Sequence, residues 1–255
     1  MYTQERMIKK TISVVIPAYN EEQHIVRCLE SLSAQTYKDT FEVIIVDNNS
    51  SDKTAELARD HGATVVFEPK AGVIFARETG TKIAKGEIII QTDADTTYPP
   101  DWIERIMTTF SKNPKAVAVV GAFKFVDGPW WGKYFTGLLF GVTDLIHKTT
   151  KRLVYIPGSN TAFKREAWHG YDITLDQGGD EVALLKQLKK EGQIIFLRSN
   201  AVLTSARRLT KGILYNIFVT FLFYYVFDYT FRKITGRSIV SPFPRIRKQV
   251  QHIKE

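Results

Sequence analysis

Residues 88–102, IIIQTDADTTYPPDW, run an apolar strand directly into two carboxylates, Asp93 and Asp95, separated only by Ala94. Where a buried strand gives way to a turn, both side chains project into the space beyond its end. Left unpaired, the two charges repel and one tends to stay protonated. A hard divalent cation removes the repulsion. Mg2+ or Mn2+ takes one or two carboxylates and completes its shell with water and phosphate oxygens, so the spacing suggests a metal shared with a diphosphate. A plainer account stands beside it, in which Asp95 only opens a turn before Pro99 and Pro100. The Asp-x-Asp spacing alone does not choose between them.

The elements that must position these acids follow from periodicity. TISVVIPAY (11–19) reads as a buried strand and NEEQHIVRCLESLSAQ (20–35) as an amphipathic helix whose early acids suit its N-terminus. FEVIIVD (41–47) is a second strand, followed by a helix that closes at Gly62. ATVVFEP, GVIFARETGTKIAKG and EIIIQTD continue the pattern as strand, helix and strand, and a further helix begins at 101. Such alternation with short connections predicts an α/β fold, a mostly parallel, doubly wound sheet that binds ligands at the carboxyl ends of its strands. Tyr19, Asn20 and Glu21, then Asp47, then Asp93 and Asp95 all fall at those ends. Beyond residue 112, KAVAVVGAFKFV predicts a strand, PWWGKYFTGLLFGVTDLIHK an aromatic helix, GGDEVALLKQLKKEG a helix closed by Gly192, and QIIFLRSNAVLTS a strand.

With 255 residues, 44% hydrophobic and 24% charged, the chain has an ordinary globular composition, which argues against wholesale disorder. Its single cysteine, Cys28, excludes an intramolecular disulfide framework and fits a reducing compartment. The run TISVVIPAY is too short, and too soon broken by proline and acids, to read as a secretory leader. The net charge of +8 is local. From Ser205 onward there are ten Lys/Arg and two Asp/Glu (10 − 2 = +8), and the preceding 204 residues balance at 25 against 25. A basic patch on a neutral body suits phosphate, whether of a nucleotide or of lipid headgroups.

Within that tail, ILYNIFVTFLFYYVFDYTF (213–231) carries Asn216, Thr220, Tyr224 and Asp228 as a narrow polar stripe on an apolar helix. Nine of its nineteen residues are Phe or Tyr, and cations flank it. Rings with polar tips beside cations favour a helix lying in a membrane interface over one spanning it. Burial in the core or at a homo-oligomer interface is the bland alternative. Nucleic-acid binding is disfavoured, because the cations are interleaved with a long apolar segment.

Five segments in order resemble the family 2 glycosyltransferases of the GT-A fold, inverting enzymes that use nucleotide-diphosphate sugars. They are SVVIPAYNEE (13–22), VIIVDNNSSDKT (43–54), KAGVIFARETGTKIAKGEIIIQTDADT (70–96), PGSNTAFKREAW (157–168) and GGDEVALLKQLKKEG (178–192). The resemblance implies a base pocket of Pro17, Ala18 and Tyr19, with Glu21 at the nucleoside and Asp47 on the base ring, commonly uracil. It implies that Lys70 and Arg77 reach toward the nucleotide, that Asp93 meets the ribose, that Ala94 belongs to the nucleotide-sugar site, and that Asp95 is the ligand of Mn2+ or Mg2+. It places the catalytic base at Glu181 by register, with Asp180 the alternative because the usual Glu-Asp order is reversed here. Ser159 and Asn160 match a loop near the acceptor. Arg207 and Arg208, in TSARR, have the chemistry to clamp a diphosphate bidentately or, alternatively, to face anionic lipid, one of each being compatible with the sequence.

The resulting expectation is a catalytic domain over residues 1–209 and a basic, aromatic membrane-associating segment over 210–255. The activity would be sugar transfer from a UDP-type donor to a lipid or glycan acceptor at the inner face of the cell membrane, with residues 210–233 on the membrane surface. The alternatives are a non-catalytic nucleotide-sugar- or membrane-binding scaffold and a nucleotidyltransferase, the second disfavoured because IPAYNEE stands where a glycine-rich loop would follow the first strand.

Overall fold

The computed structural model describes residues 11–153, 155–175, 179–209 and 212, with Arg208 described by its backbone alone. The apolar tail segment 213–231 lies outside the described residues. The first half follows the alternation read from the sequence: β1 (Ile12–Ala18), α1 (Ile25–Ser33), β2 (Phe41–Asp47), α2 (Thr54–Asp60), β3 (Thr64–Phe67), α3 (Val73–Ile83) and β4 (Ile88–Gln91). The rest comprises β5 (Thr96–Thr97), α4 (Trp102–Lys112), β6 (Ala116–Phe125), α5 (Trp130–Thr150), β7 (Thr161–Lys164), α6 (Gly179–Glu191) and β8 (Gln193–Thr204).

The strands form one sheet in the order β3-β2-β1-β4-β7-β6-β8-β5. β1 to β4, β6 and β8 share one direction, while β7 opposes both β4 and β6, and β5 opposes β8. The two opposing strands were not foreseen. Winding proceeds from β1 to β3 on one side and resumes at β4 on the other side of β1. That reversal opens a crevice at the carboxyl ends of β1 and β4, where such sheets bind ligands.

Both faces of the sheet are covered. Alternate residues face opposite ways, as strand geometry requires. Ile88 and Ile90 pack under α1, α2 and α4 with Cys28, Leu29, Ala58, Ile103 and Ile106. Ile89, Ile44 and Val46 pack under α3, α5 and α6 with Ile74, Phe140, Leu184 and Leu188. Strands apolar on both faces are what a sheet buried between helix layers needs. Among the described residues no helix is long and apolar enough to cross a membrane.

The first helix begins at Ile25, later than the expected position 20. Asn20 adopts φ 53° and turns the chain away from β1. Its amide donates to Ser50 Oγ at 3.0 Å, and its Oδ1 accepts from the Ser51 amide at 2.8 Å. The loops after β1 and β2 are thereby tied together, and the residues before α1 stay in turns at the crevice.

Candidate active site at the carboxyl ends of the strands

Two arginines organise the acids of the crevice. Arg207, just beyond β8, donates to Glu21 through both terminal nitrogens, Nη1 to Oε2 at 2.9 Å and Nη2 to Oε1. Nη2 also lies 3.1 Å from Asp95 Oδ2, and Thr204 Oγ1 donates to Asp95 Oδ1 at 3.2 Å. Glu21 is held in place from behind, since its amide donates to Thr54 Oγ1 at 2.7 Å. Burial pushes the Glu21 carboxyl above its ordinary range, and the Arg207 pair opposes that shift. Burial works against the charge of Arg207, but Glu21 and Asp95 outweigh it and raise its pKa.

Arg77, on α3, is buried. Nη1 donates to Asp180 Oδ2, Nη2 lies 3.3 Å from Asp93 Oδ1, and Glu181 Oε1 stands 3.9 Å from Nη1. Burial disfavours its charge, and the carboxylates of Asp180, Asp93 and Glu181 overcome that penalty. The adjacent acids at the start of α6 therefore differ. The Asp180 side chain is 1% exposed and locked onto the guanidinium, whereas that of Glu181 is 19% exposed. Glu181 Oε1 accepts the Gly158 amide at 2.9 Å. Burial, then the neighbouring charge of Asp180, push the Glu181 carboxyl up to about 7, against the pull of Arg77. Gly158 is needed for this approach, because a Cβ there would fall 2.0 Å from Arg77 Nη2 and 2.6 Å from Glu181 Oε1.

The remaining predicted residues divide between cleft and framework. Pro17 and Tyr19 are half-buried at the end of β1, and Ala18 and Ala94 are buried beside them. Asp47 Oδ1 accepts the Ser50 amide at 3.0 Å, so this side chain caps its own turn. Lys70 is exposed, its Nζ 5.7 Å from the Phe75 ring centroid. Ser159 is buried, its carbonyl accepting Thr92 Oγ1 at 2.8 Å. Asn160 is taken up by the framework: it accepts Trp102 Nε1 at 3.0 Å and donates to the carbonyls of Ala122 and Asn200 at 2.8 and 2.7 Å. The Arg208 side chain lies outside the described residues.

Sequence reasoning missed Asn48 and Gly158. Asn48 Nδ2 donates to the carbonyls of Glu68 and Lys70 at 3.0 and 2.6 Å, and its Oδ1 accepts the Gly72 amide at 2.8 Å. It thereby holds the loop between β3 and α3 that carries Lys70. The signal for Asn48 was its place directly after Asp47 at a strand end. Gly158 stood inside PGSN, where only the spatial approach of Arg77 reveals why a side chain is not tolerated.

Among the described residues no three or more His, Cys, Asp or Glu side chains converge as a metal cage. Asp93 and Asp95 each pair with a different arginine. This all-oxygen donor set fits a hard cation that brings phosphate oxygens and water as its other ligands.

A model of the family described as Glycosyl transferase family 2 matches residues 13–171. A glucosyl-dolichyl phosphate glucuronosyltransferase of Haloferax volcanii is 30% identical over 189 residues, 67% of this chain and 58% of its own length. The mannosyltransferase PcManGT of Pyrobaculum calidifontis, solved with GDP-Man and Mn2+, superposes with a TM-score of 0.62 at 22% identity, covering 77% of this chain and 57% of that one. TarS 1-349 of S. aureus, solved with UDP, gives 0.63 at 21% identity, with 77% and 60% covered. The chain thus spans less than two thirds of each of these three proteins. The two structural likenesses speak to the fold.

Proposed function

The chain belongs to glycosyl transferase family 2 and has the GT-A fold, and from that premise we propose that it is an inverting glycosyltransferase. The donor is a nucleotide-diphosphate sugar, UDP-linked in preference, and the acceptor is a hydroxyl or phosphate of a lipid or polyprenyl carrier at the cytoplasmic face of the membrane. The observation that carries this reading is Glu181: a carboxyl pushed up to about 7, partly exposed at the crevice, and oriented by the Gly158 amide.

With a hydroxyl acceptor, inversion needs one base to take its proton as the oxygen attacks the sugar carbon opposite the leaving diphosphate, whereas an ionised phosphate attacks without one; a base works best with a pKa near the operating pH. Glu181, its carboxyl pushed up to about 7 and its Oε1 held by the Gly158 amide, is the residue we assign to that role. Asp180, buried on Arg77, holds that guanidinium and leaves Glu181 facing the crevice. Tyr19, Pro17 and Ala18 line the end of β1 and offer a surface for the base, with Asp47 at its edge and Asp93 toward the ribose. Arg207 stands at the crevice with a planar guanidinium suited to diphosphate oxygens. A divalent cation held by Asp95 would supply Lewis-acid stabilisation of the departing nucleotide.

The acceptor class is supported by the relative whose name specifies a glucosyl-dolichyl phosphate. The donor and metal are supported by the neighbours solved with UDP and with GDP-Man and Mn2+. The test is nucleotide release by the purified chain from a panel of nucleotide sugars, with Mn2+ or Mg2+ and a membrane lipid extract as acceptor source. Metal-dependent release that rises with the extract is expected. No release with any donor would leave the scaffold reading in its place.

A further inference from the structure

The twenty-one-residue helix α5 buries only a narrow face, Gly132, Thr136, Phe140 and Thr143, and leaves larger apolar side chains outside. Its buried positions include Thr136 and Thr143, whose hydroxyls donate back to the helix's own backbone, at Lys133 (3.1 Å) and Leu139 (2.8 Å). Its outward positions carry Trp130, Tyr134, Leu138 and Leu145, exposed by 76, 73, 70 and 62%, with Val142 between them. The spacing of four, four, four and three puts all five on one face. The helix is about 30 Å long, so the stripe is continuous over most of that length. A soluble surface rarely spends so many large apolar side chains on one strip without a partner.

Three features identify the partner. The charged groups beside the stripe are mostly basic: Lys133, Lys148, Lys151, Arg152 and Arg198 are exposed. Asp144 opposes them, and it is largely covered and paired with Lys148 at 2.7 Å and Arg198 at 3.8 Å. Tryptophan and tyrosine, the residues that prefer headgroup depth, sit together at one end of the stripe with rings 6.0 Å apart. That same end adjoins the crevice. Asp127, just before the helix, accepts the Ser205 hydroxyl at 2.9 Å and the Ala206 amide, which leads into Arg207. Leu209 then packs 3.0 Å from the position a Gly132 Cβ would take, so the segment after β8 also rests on this helix.

We propose that the outward stripe of α5 is a docking surface for an anionic lipid bilayer. An apolar strip bordered by cations is what binds such an interface. Docked this way, the bilayer borders the crevice near Arg207, so an acceptor held in the membrane enters the crevice without leaving the lipid. The proposal rests on the lipid-acceptor reading above, and adds to it a surface formed by the folded domain itself rather than by the tail.

The full chain carrying Leu138→Cys provides the test, labelled with an environment-sensitive fluorophore. Cys28 is fully buried with its thiol pushed up to about 12 by that burial, so the label goes to position 138. Emission should shift to the blue and rise on adding phosphatidylglycerol vesicles and change little with phosphatidylcholine. A label at Glu104→Cys on α4 should not respond. Trp130→Ser/Leu138→Ser in the full chain should lose about tenfold or more in partitioning to the anionic vesicles. A blue emission already present without vesicles, at every protein concentration, would show that the chain's own tail covers the stripe. A blue shift that tracks protein concentration, with a doubled mass in solution, would show a second copy there. Either result, or no response to vesicles, overturns the proposal. Nucleotide release by the same labelled protein is measured in parallel. A protein that releases nucleotide but shows no response loses only the docking surface.

Discussion

Glu181 and Asp180 are chemically similar neighbours with different surroundings, and substitution should separate them. Glu181→Gln removes the only group in the crevice proposed to take the acceptor proton, so turnover should fall by about 10²-fold or more. The acidic limb of the parent's rate profile should lie near pH 7, because the base acts when deprotonated. The same shift has a stability consequence. Its folded-state pKa is raised, so the fold gains from the protonated carboxyl below the unfolded value of 4.5 and loses that gain as pH rises through about 7. At pH 8 Glu181→Gln should therefore be the more stable protein, on the order of 2 kcal/mol, read as a higher Tm in a thermal melt. Asp180→Asn behaves differently. It leaves Arg77 buried with a weakened partner and should cost about 3 kcal/mol in chemical denaturation. Because Asp180 raises the Glu181 pKa, the residual activity of Asp180→Asn should show its acidic limb at lower pH. The sequence offered both acids as candidates; only the burial of one against Arg77 distinguishes them. Asn160 shows the converse, a motif residue whose amide is spent on Trp102, Ala122 and Asn200, contacts that no local pattern announces.

At the scale of elements, the loop through Gly158 sets how closely α3 and α6 bring their charges together. Gly158→Ala forces the Arg77 guanidinium or the Glu181 carboxylate to move, since its Cβ would lie 2.0 and 2.6 Å from them. We expect a loss of turnover larger than the loss of stability, with circular dichroism unchanged and the rate profile displaced. The parallel strands were legible because each carries an apolar run, and β1, β2, β3 and β6 lead directly into a helix. Four-residue β7 was not, because TAFK is too short to show a period and lies between polar and charged residues. Its identity comes from pairing on both sides, with β4 and with β6. Two-residue β5 likewise exists only through β8. Helix α5 was legible as a helix but not in orientation. Periodicity finds an apolar stripe, and whether that stripe faces protein or water depends on the rest of the fold.

For the whole molecule, the alternation of strands and helices foretold a doubly wound sheet, and the polar strand ends foretold where its crevice would lie. The two arginine clusters were beyond reach from sequence, because Arg77 and Asp180, or Glu21 and Arg207, meet only when α3 faces α6 and the end of β8 returns to β1. In the proposed reaction these clusters divide the work, Arg207 and Asp95 on the diphosphate side and Arg77, Asp180 and Glu181 on the acceptor side. Asp95→Asn should abolish metal-dependent nucleotide release while leaving the fold intact by circular dichroism. Unchanged release would remove Asp95 from the metal role. The most direct measurement is the anomeric configuration of the sugar in the isolated product, read by NMR from coupling across the new glycosidic bond. One base and one displacement predict a configuration inverted from that of the donor. Retained configuration, or a product carrying no transferred sugar, would contradict the account.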